Sequence, residues 1–254
     1  MDSEDASKYG KDAAGPGPGR VTFLHGQVPS PGPLPRGQHD LSPEYVAAHQ
    51  RIRILDATTY VLVDRGYGPA TIGDIVARAH VSRRTFYDHF ETKEHCVVAT
   101  FGAALECIAD AVRAAYSEPE EWDVAMAAGL TELMRVLVDH PQTARTCFLE
   151  IHSTGTAAAE PLTSARLMCT DALRRSVADR PGATPVGDMA LELGVGGLIA
   201  VIRGRVAAGD HDALQHELPE IARALLEPLA GPQATEAAIA RIDSGAKGRA
   251  AHAI

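Results

Sequence analysis

Long hydrophobic runs are missing from this 254-residue chain. The longest, Gly194 to Ile202 (GVGGLIAVI), falls well short of the roughly 18 to 20 residues a membrane-spanning helix needs. The first residues, MDSED, lack the basic start and apolar stretch of an export signal, so a cytoplasmic protein with no membrane partner is expected. Cysteine is scarce. Cys96, Cys107, Cys147 and Cys169 show no C-x-x-C pairing, which argues for reduced structural thiols over a zinc or redox site, and no metal or cofactor is expected. Catalytic signatures are also lacking: there is no G-x-S-x-G elbow and no G-x-x-x-x-G-K-[ST] loop. The segment His216-Glu217-Leu218-Pro219-Glu220 misses the zinc-protease H-E-x-x-H at its last residue, so no catalytic residue is assigned and an enzyme is not expected. Alternating β-branched runs bounded by turns are absent, which leaves an all-α chain.

Positive charge is short overall, with a net of −9, but it is unevenly spread. Residues 1–40 hold four bases and five acids, residues 41–95 seven of each, and residues 96–254 thirteen bases against twenty-one acids. A nucleic-acid contact is permitted in the neutral middle and disfavoured in the acidic remainder. Residues 1–40 also carry six prolines and seven glycines, the composition of a flexible extension, with Val21 to Leu24 as its one apolar patch.

Helix signals begin at Leu41-Ser42-Pro43-Glu44: a capping serine, proline at the first helical position, an acid in the first turn, and a Leu41–Val46 staple. Ile54, Leu55, Val61 and Leu62 form the buried stripe of this helix, and Gly66 is placed to end it in a left-handed cap. Thr71 and Asp74 read as a capping box opening a short second helix with Ile72, Ile75, Val76 and Ala79 inward. After the His80-Val81-Ser82 turn, Ser82 caps a third helix whose Phe86 and Phe90 face the core, which is helix-turn-helix spacing. Further helices are predicted with Val98, Phe101, Leu105 and Ile108 on one face, with Trp122 to Leu137 as a fifth stripe, and near 141–152, 161–179, 185–208 and 212–229. Pro219 is expected to kink the last or mark its true start, and residues 231–254 to form a disordered tail with a turn of helix around Ala234 to Ile242.

From Arg51 to Val98 the sequence resembles the DNA-binding domain of the tetracycline-repressor (TetR) family of bacterial transcription regulators. The resemblance rests on Ile54-Leu55, Gly66-Tyr67, Thr71-Ile72 and Ile75, and above all on the string Val81-Ser82-Arg83-Arg84-Thr85-Phe86-Tyr87-Asp88-His89-Phe90-Glu91-Thr92-Lys93-Glu94. It implies a helix-turn-helix domain over residues 41–92, a helical effector-binding and dimerisation domain over 93–230, and double-stranded DNA, a palindromic operator, as partner. A recognition helix offers its N-terminal side chains to base edges, so Ser82, Arg83, Arg84 and Thr85 are the candidates, with His89 able to touch the backbone. Tyr87, Lys93 and Thr71 are implied as phosphate contacts. The sequence departs from the family pattern at His80, where glycine is usual and a left-handed backbone is needed.

In the acidic remainder the resemblance extends to position and pattern only. Phe101, Leu105, Trp122, Met126, Leu130, Phe148, His152 and Met168 are the candidate walls of a small-molecule effector pocket. Leu193, Gly197, Ala200, Leu218, Ile221 and Leu225 are the candidate homodimer interface, built from a small-residue helix and a leucine seam. The function so implied is a repressor that releases its operator on binding an effector. The alternatives are an activator of the same family, or a protein-partner-binding helical module that keeps a non-functional helix-turn-helix.

Overall fold

The computed structural model describes residues 42–183 and 185–252, and among them helices and one 3-10 segment are the only regular elements. The N-terminal extension and Leu41, with its staple, lie outside the described residues. Helix α1 (Pro43–Arg65) starts where the serine-proline signal sets it: Ser42 Oγ accepts from the Tyr45 amide at 3.2 Å. It ends at Gly66, whose amide reaches the Leu62 carbonyl at 2.8 Å with φ 74° and ψ 164°. The φ is positive as expected, but the extended ψ turns the chain outward instead of closing a left-handed cap.

Helix α2 (Ile72–Ala79) and helix α3 (Arg83–His89) follow, then α4 (Lys93–Ser117). Ile54, Leu55, Val61, Leu62, Ile75, Val76, Ala79, Phe86 and Phe90 make one buried core, and Cys96 and Val97 from the start of α4 complete it. Farther along α4, Phe101, Ala104 and Ile108 belong to a second core. The helix therefore starts at the boundary drawn at residue 93, and it packs into both cores. Its 25 residues are apolar enough by composition to cross a membrane; here that composition serves its packing against α1 and α5.

The second core is built by α5 (Trp122–Asp139), α6 (Pro141–Phe148), the 3-10 segment Glu150–Ala158, α7 (Ala159–Ala178), α8 (Asp188–Ala208), α9 (Ala213–His216), α10 (Leu218–Ala230) and α11 (Pro232–His252). Four expected boundaries shift, one of them the start expected at 185, which the structure places at Asp188. The helix drawn over 141–152 ends at Phe148 and gives way to the 3-10 segment, which bends at Gly155 (φ 66°). Helix α7 begins at Ala159, two residues before Pro161, because Pro161 fits within a first turn that needs no amide there. The helix drawn over 212–229 is two, and Pro219 sits at the second position of α10, the true start.

The expected tail is the largest correction. Residues 232–252 are helical and α11 packs on α5 and α10, burying Thr235, Ala238, Ile239 and Ile242. Arg241 Nε bonds Asp123 at 3.0 Å, and Arg223 pairs with Glu236. This helix is rich in alanine and carries only a narrow apolar stripe, so its order comes from the neighbours it covers, which a reading of local pattern misses.

Candidate nucleic-acid interface

The turn between α2 and α3 sets the site. Thr71 Oγ1 accepts from the Asp74 amide at 3.2 Å while Asp74 Oδ2 accepts from the Thr71 amide at 3.0 Å, the reciprocal box expected from sequence. These bonds to Thr71 hold the Asp74 carboxyl below its usual range, and Arg65 lies 3.4 Å away. At the other end His80 has φ 52° and ψ 44°, the left-handed conformation the position requires. It is the one non-glycine residue with positive φ among the described residues. Two residues later Ser82 Oγ accepts from the Thr85 amide at 3.0 Å and opens α3.

On α3, Ser82, Arg83, Arg84 and Tyr87 are exposed, Thr85 and His89 are half-buried, and Phe86 is fully buried. The buried face thus anchors the helix and the opposite face carries the candidates together. Tyr87 packs edge-on against Phe86 with centroids 5.6 Å apart, which directs its hydroxyl end outward. Burial, with the Arg51 guanidinium second, pushes His89 below its ordinary pKa and so disfavours its charged form.

Most cations of this half are occupied within the chain, which leaves few of them free for DNA. Arg51 stacks over Phe90 at 5.1 Å, and Arg78 over Tyr60 at 4.3 Å. Arg83 lies over α2: a Cβ added at Gly73 would sit 3.1 Å from Arg83 Nη2. Lys93 Nζ donates to the carbonyls of Tyr67 at 2.7 Å and Ala70 at 2.9 Å and sits 4.2 Å from the Tyr67 ring centroid. Arg84 has no hydrogen-bond or ion-pair partner among the described residues and is exposed at the N-terminal end of α3.

Two features were not found from sequence. Arg53, 7% exposed on α1, donates from Nη2 to the carbonyls of Ala79 and of His80, the latter at 3.2 Å. A sequence signal existed: Arg53, Ala57 and Val61 are four apart on the buried stripe, and a charge there needs a partner inside. The second is Glu150, 7% exposed, whose Oε2 accepts from the Tyr67 amide at 3.0 Å and whose Oε1 accepts from Arg145 at 3.1 Å. It ties the loop before α2 to the 3-10 segment across 83 residues of sequence, a pairing without local signature.

The other expected sites divide. Phe101, Trp122, Met126 and Leu130 are in the second core and Leu105 and Phe148 pack on it, but His152 and Met168 are exposed and do not join them. Leu218, Ile221 and Leu225 are at most 9% exposed inside the chain. The leucine seam is consumed by packing of α10 on α8 and α11, because Gly194 lets the two backbones close until its own Cβ position would be 3.1 Å from Leu225 Cδ1. Leu193, Gly197 and Ala200 remain exposed on the outer face of α8 with Met189 and Val201. Among the described residues no three His, Cys, Asp or Glu side chains converge to hold a metal.

A short capped helix, a left-handed turn and a second helix with its polar face open, all on a small apolar core, define a helix-turn-helix protein. Residues 54–100 match the family model described as bacterial regulatory proteins, tetR family, which supports a DNA-binding transcriptional regulator. No curated protein matches the chain. Solved structures share its fold at low identity. The fatty acid degradation regulator FadR from Bacillus halodurans superposes with a TM-score of 0.60 at 18% identity, over 75% of this chain and 97% of that one. A TetR-like transcriptional regulator from Rhodococcus sp. RHA1 gives 0.56 at 18%, over 73% and 98%. The transcriptional regulator FadR from Bacillus subtilis, solved in complex with stearoyl-CoA, gives 0.57 at 16%, over 71% and 98%.

Proposed function

We propose that the chain is a cytoplasmic, homodimeric repressor that holds a palindromic operator and releases it when a small molecule enters the C-terminal helices. The observation that carries the reading is the exposed Arg84, without a partner among the described residues, on a helix fixed by Ser82 and Phe86. In this reading Arg84 reads a base edge, for which a bidentate guanine pair is worth about 1 to 3 kcal/mol of discrimination. Ser82, Arg83, Thr85 and Tyr87 flank it at bases and backbone, and Thr71 offers the α2 N-terminus to a phosphate. His89, its charged form disfavoured, contributes contact, and Lys93 acts on the backbone or through the loop it braces.

Dimerisation through the outer face of α8 is supported by Met189 and Leu193, 68% and 69% exposed, in line with Gly197, Ala200 and Val201 at helical spacing. On a palindromic operator such a dimer must hold its two recognition helices about one DNA turn apart, or a multiple of it. Coupling from the effector side is supported by α4, common to both cores, and by the Glu150–Tyr67 bond. The effector would lie among Phe101, Leu105, Trp122, Met126, Leu130 and Phe148.

The Bacillus subtilis protein of this fold is complexed with stearoyl-CoA, so long-chain acyl-CoA is the first probe. The test is release of the protein from DNA flanking its own gene, followed by anisotropy against a panel of acyl-CoAs and other apolar metabolites. Release by one probe class and not by its relatives supports the reading. Unchanged binding across the panel contradicts the effector half of it.

A further inference from the structure

The turn between α2 and α3 demands a left-handed residue, which disfavours a side-chain-bearing residue by about tenfold or more relative to glycine. This chain fills the position with histidine. Opposite it stands a buried arginine on another helix. Arg53 lies on the inner face of α1, and Nη2 donates to two carbonyls within the turn, those of Ala79 and His80. The turn's own closure is a pair of backbone bonds around the left-handed residue: the His80 amide reaches the Ala77 carbonyl at 3.3 Å and the Val81 amide reaches that of Val76 at 3.1 Å, which leaves the carbonyls of residues 79 and 80 for Arg53. Ser82 follows two residues after His80, so slack in the turn rotates the whole of α3 and moves Arg84 with it.

We propose that Arg53 is a positioning residue for the recognition helix, holding the His80 turn in the shape that glycine would adopt unaided. This deepens the DNA-binding reading and rests on it for its functional half. The arginine touches no base and no phosphate; it acts through the backbone of residues 79 and 80. Its geometry suits the task, because a planar guanidinium with several donors can hold two carbonyls at once where an ammonium of the same charge is less directional.

The test uses the full chain with Arg53→Met, Arg53→Lys, His80→Gly and the double variant Arg53→Met/His80→Gly. Each is measured against a duplex that the wild type selects from a random pool and against a scrambled duplex, and each is melted without DNA. Loss of a charge-assisted bond to two carbonyls predicts that Arg53→Met lowers the selected-to-scrambled affinity ratio about tenfold or more. His80→Gly should stay within about twofold of wild type, because relief of the left-handed strain offsets the added freedom of glycine in the unfolded chain. The double variant should recover most of the ratio, and Arg53→Lys should fall between. Recovery is the readout that a merely structural arginine would not give. An Arg53→Met protein that fails to fold, with folding and binding restored in the double variant, supports the proposal equally. A double variant as defective as Arg53→Met, or an Arg53→Met protein with an undiminished ratio, overturns it. If the wild type itself shows no sequence preference, the DNA reading falls, and the melting cycle alone decides: non-additive effects of the two substitutions support the clamp and additive ones refute it.

Discussion

Replacing Lys93 by methionine keeps the stem and removes the ammonium, which separates two jobs the residue can do. Lys93 Nζ holds the Tyr67 and Ala70 carbonyls at 2.7 and 2.9 Å and lies over the Tyr67 ring. A hydrogen bond to a charged group contributes about 1.5 to 3 kcal/mol net, and an exposed cation–π contact about 0.5 to 1. Over both carbonyl bonds and the ring contact this sums to about 3.5 to 7 kcal/mol, and because Lys93 is half-exposed the loss is set at roughly half of it, about 2 to 4 kcal/mol. For a chain of this size that lowers the melting temperature by roughly 5 to 15 °C. The assay is circular dichroism at 222 nm through a thermal ramp, without DNA, repeated in high salt to screen any interaction with the acidic half. The Glu94 carboxylate, which accepts from the Tyr67 hydroxyl at 2.7 Å, should lose order with the loop. A variant that melts within about 1 °C of wild type, yet binds all DNA more weakly with a shallower salt slope, refutes the brace and leaves Lys93 as a plain phosphate ligand.

Arg84→Ala is expected to cost about 1 to 3 kcal/mol against the selected duplex and to relax preference at one base position, read by competition with single-base variants; equal loss on all sequences would make it a phosphate contact. Leu193→Arg, on the exposed face of α8, should shift the sedimentation mass toward one chain with little change in melting, because the side chain is not part of the monomer core. An unchanged mass would place the interface elsewhere. Burial pushes both Cys96 and Cys147 up to about 12, aided at Cys147 by nearby Cys107. The thiolate is therefore negligible at pH 8, and both should resist a thiol reagent until the chain is unfolded; rapid labelling of either in the native state would show that the core opens.

The helix-turn-helix was legible because its signals are local. Ser82, the Thr71–Asp74 box and the Phe86–Phe90 spacing each act within four residues, and the structure contains every one of these devices. His80 was legible as a strained position, while its remedy, Arg53, was not, since the clamp joins residues 26 and 27 apart and shows only as a charge on an apolar stripe. Glu150 was invisible for the same reason at greater range. In the C-terminal half, periodicity gave the helices but not their partners. A leucine seam such as Leu218, Ile221 and Leu225 reads identically whether it meets its own chain or a second copy. Here the missing side chain of Gly194 lets α8 take the seam for itself. Helix α11 was misread because alanine-rich sequence has little apolar pattern of its own and gains order from the surfaces of α5 and α10.

The central claim, that α3 reads sequence in DNA, is tested most directly by anisotropy of the full chain on its selected duplex and on a scrambled one at two salt concentrations. Binding that weakens with salt on both duplexes while the selected one keeps its advantage is the predicted result, since phosphate contacts are lost to salt and base contacts are not. Equal affinity for the two duplexes at both concentrations, or none for either, would contradict it.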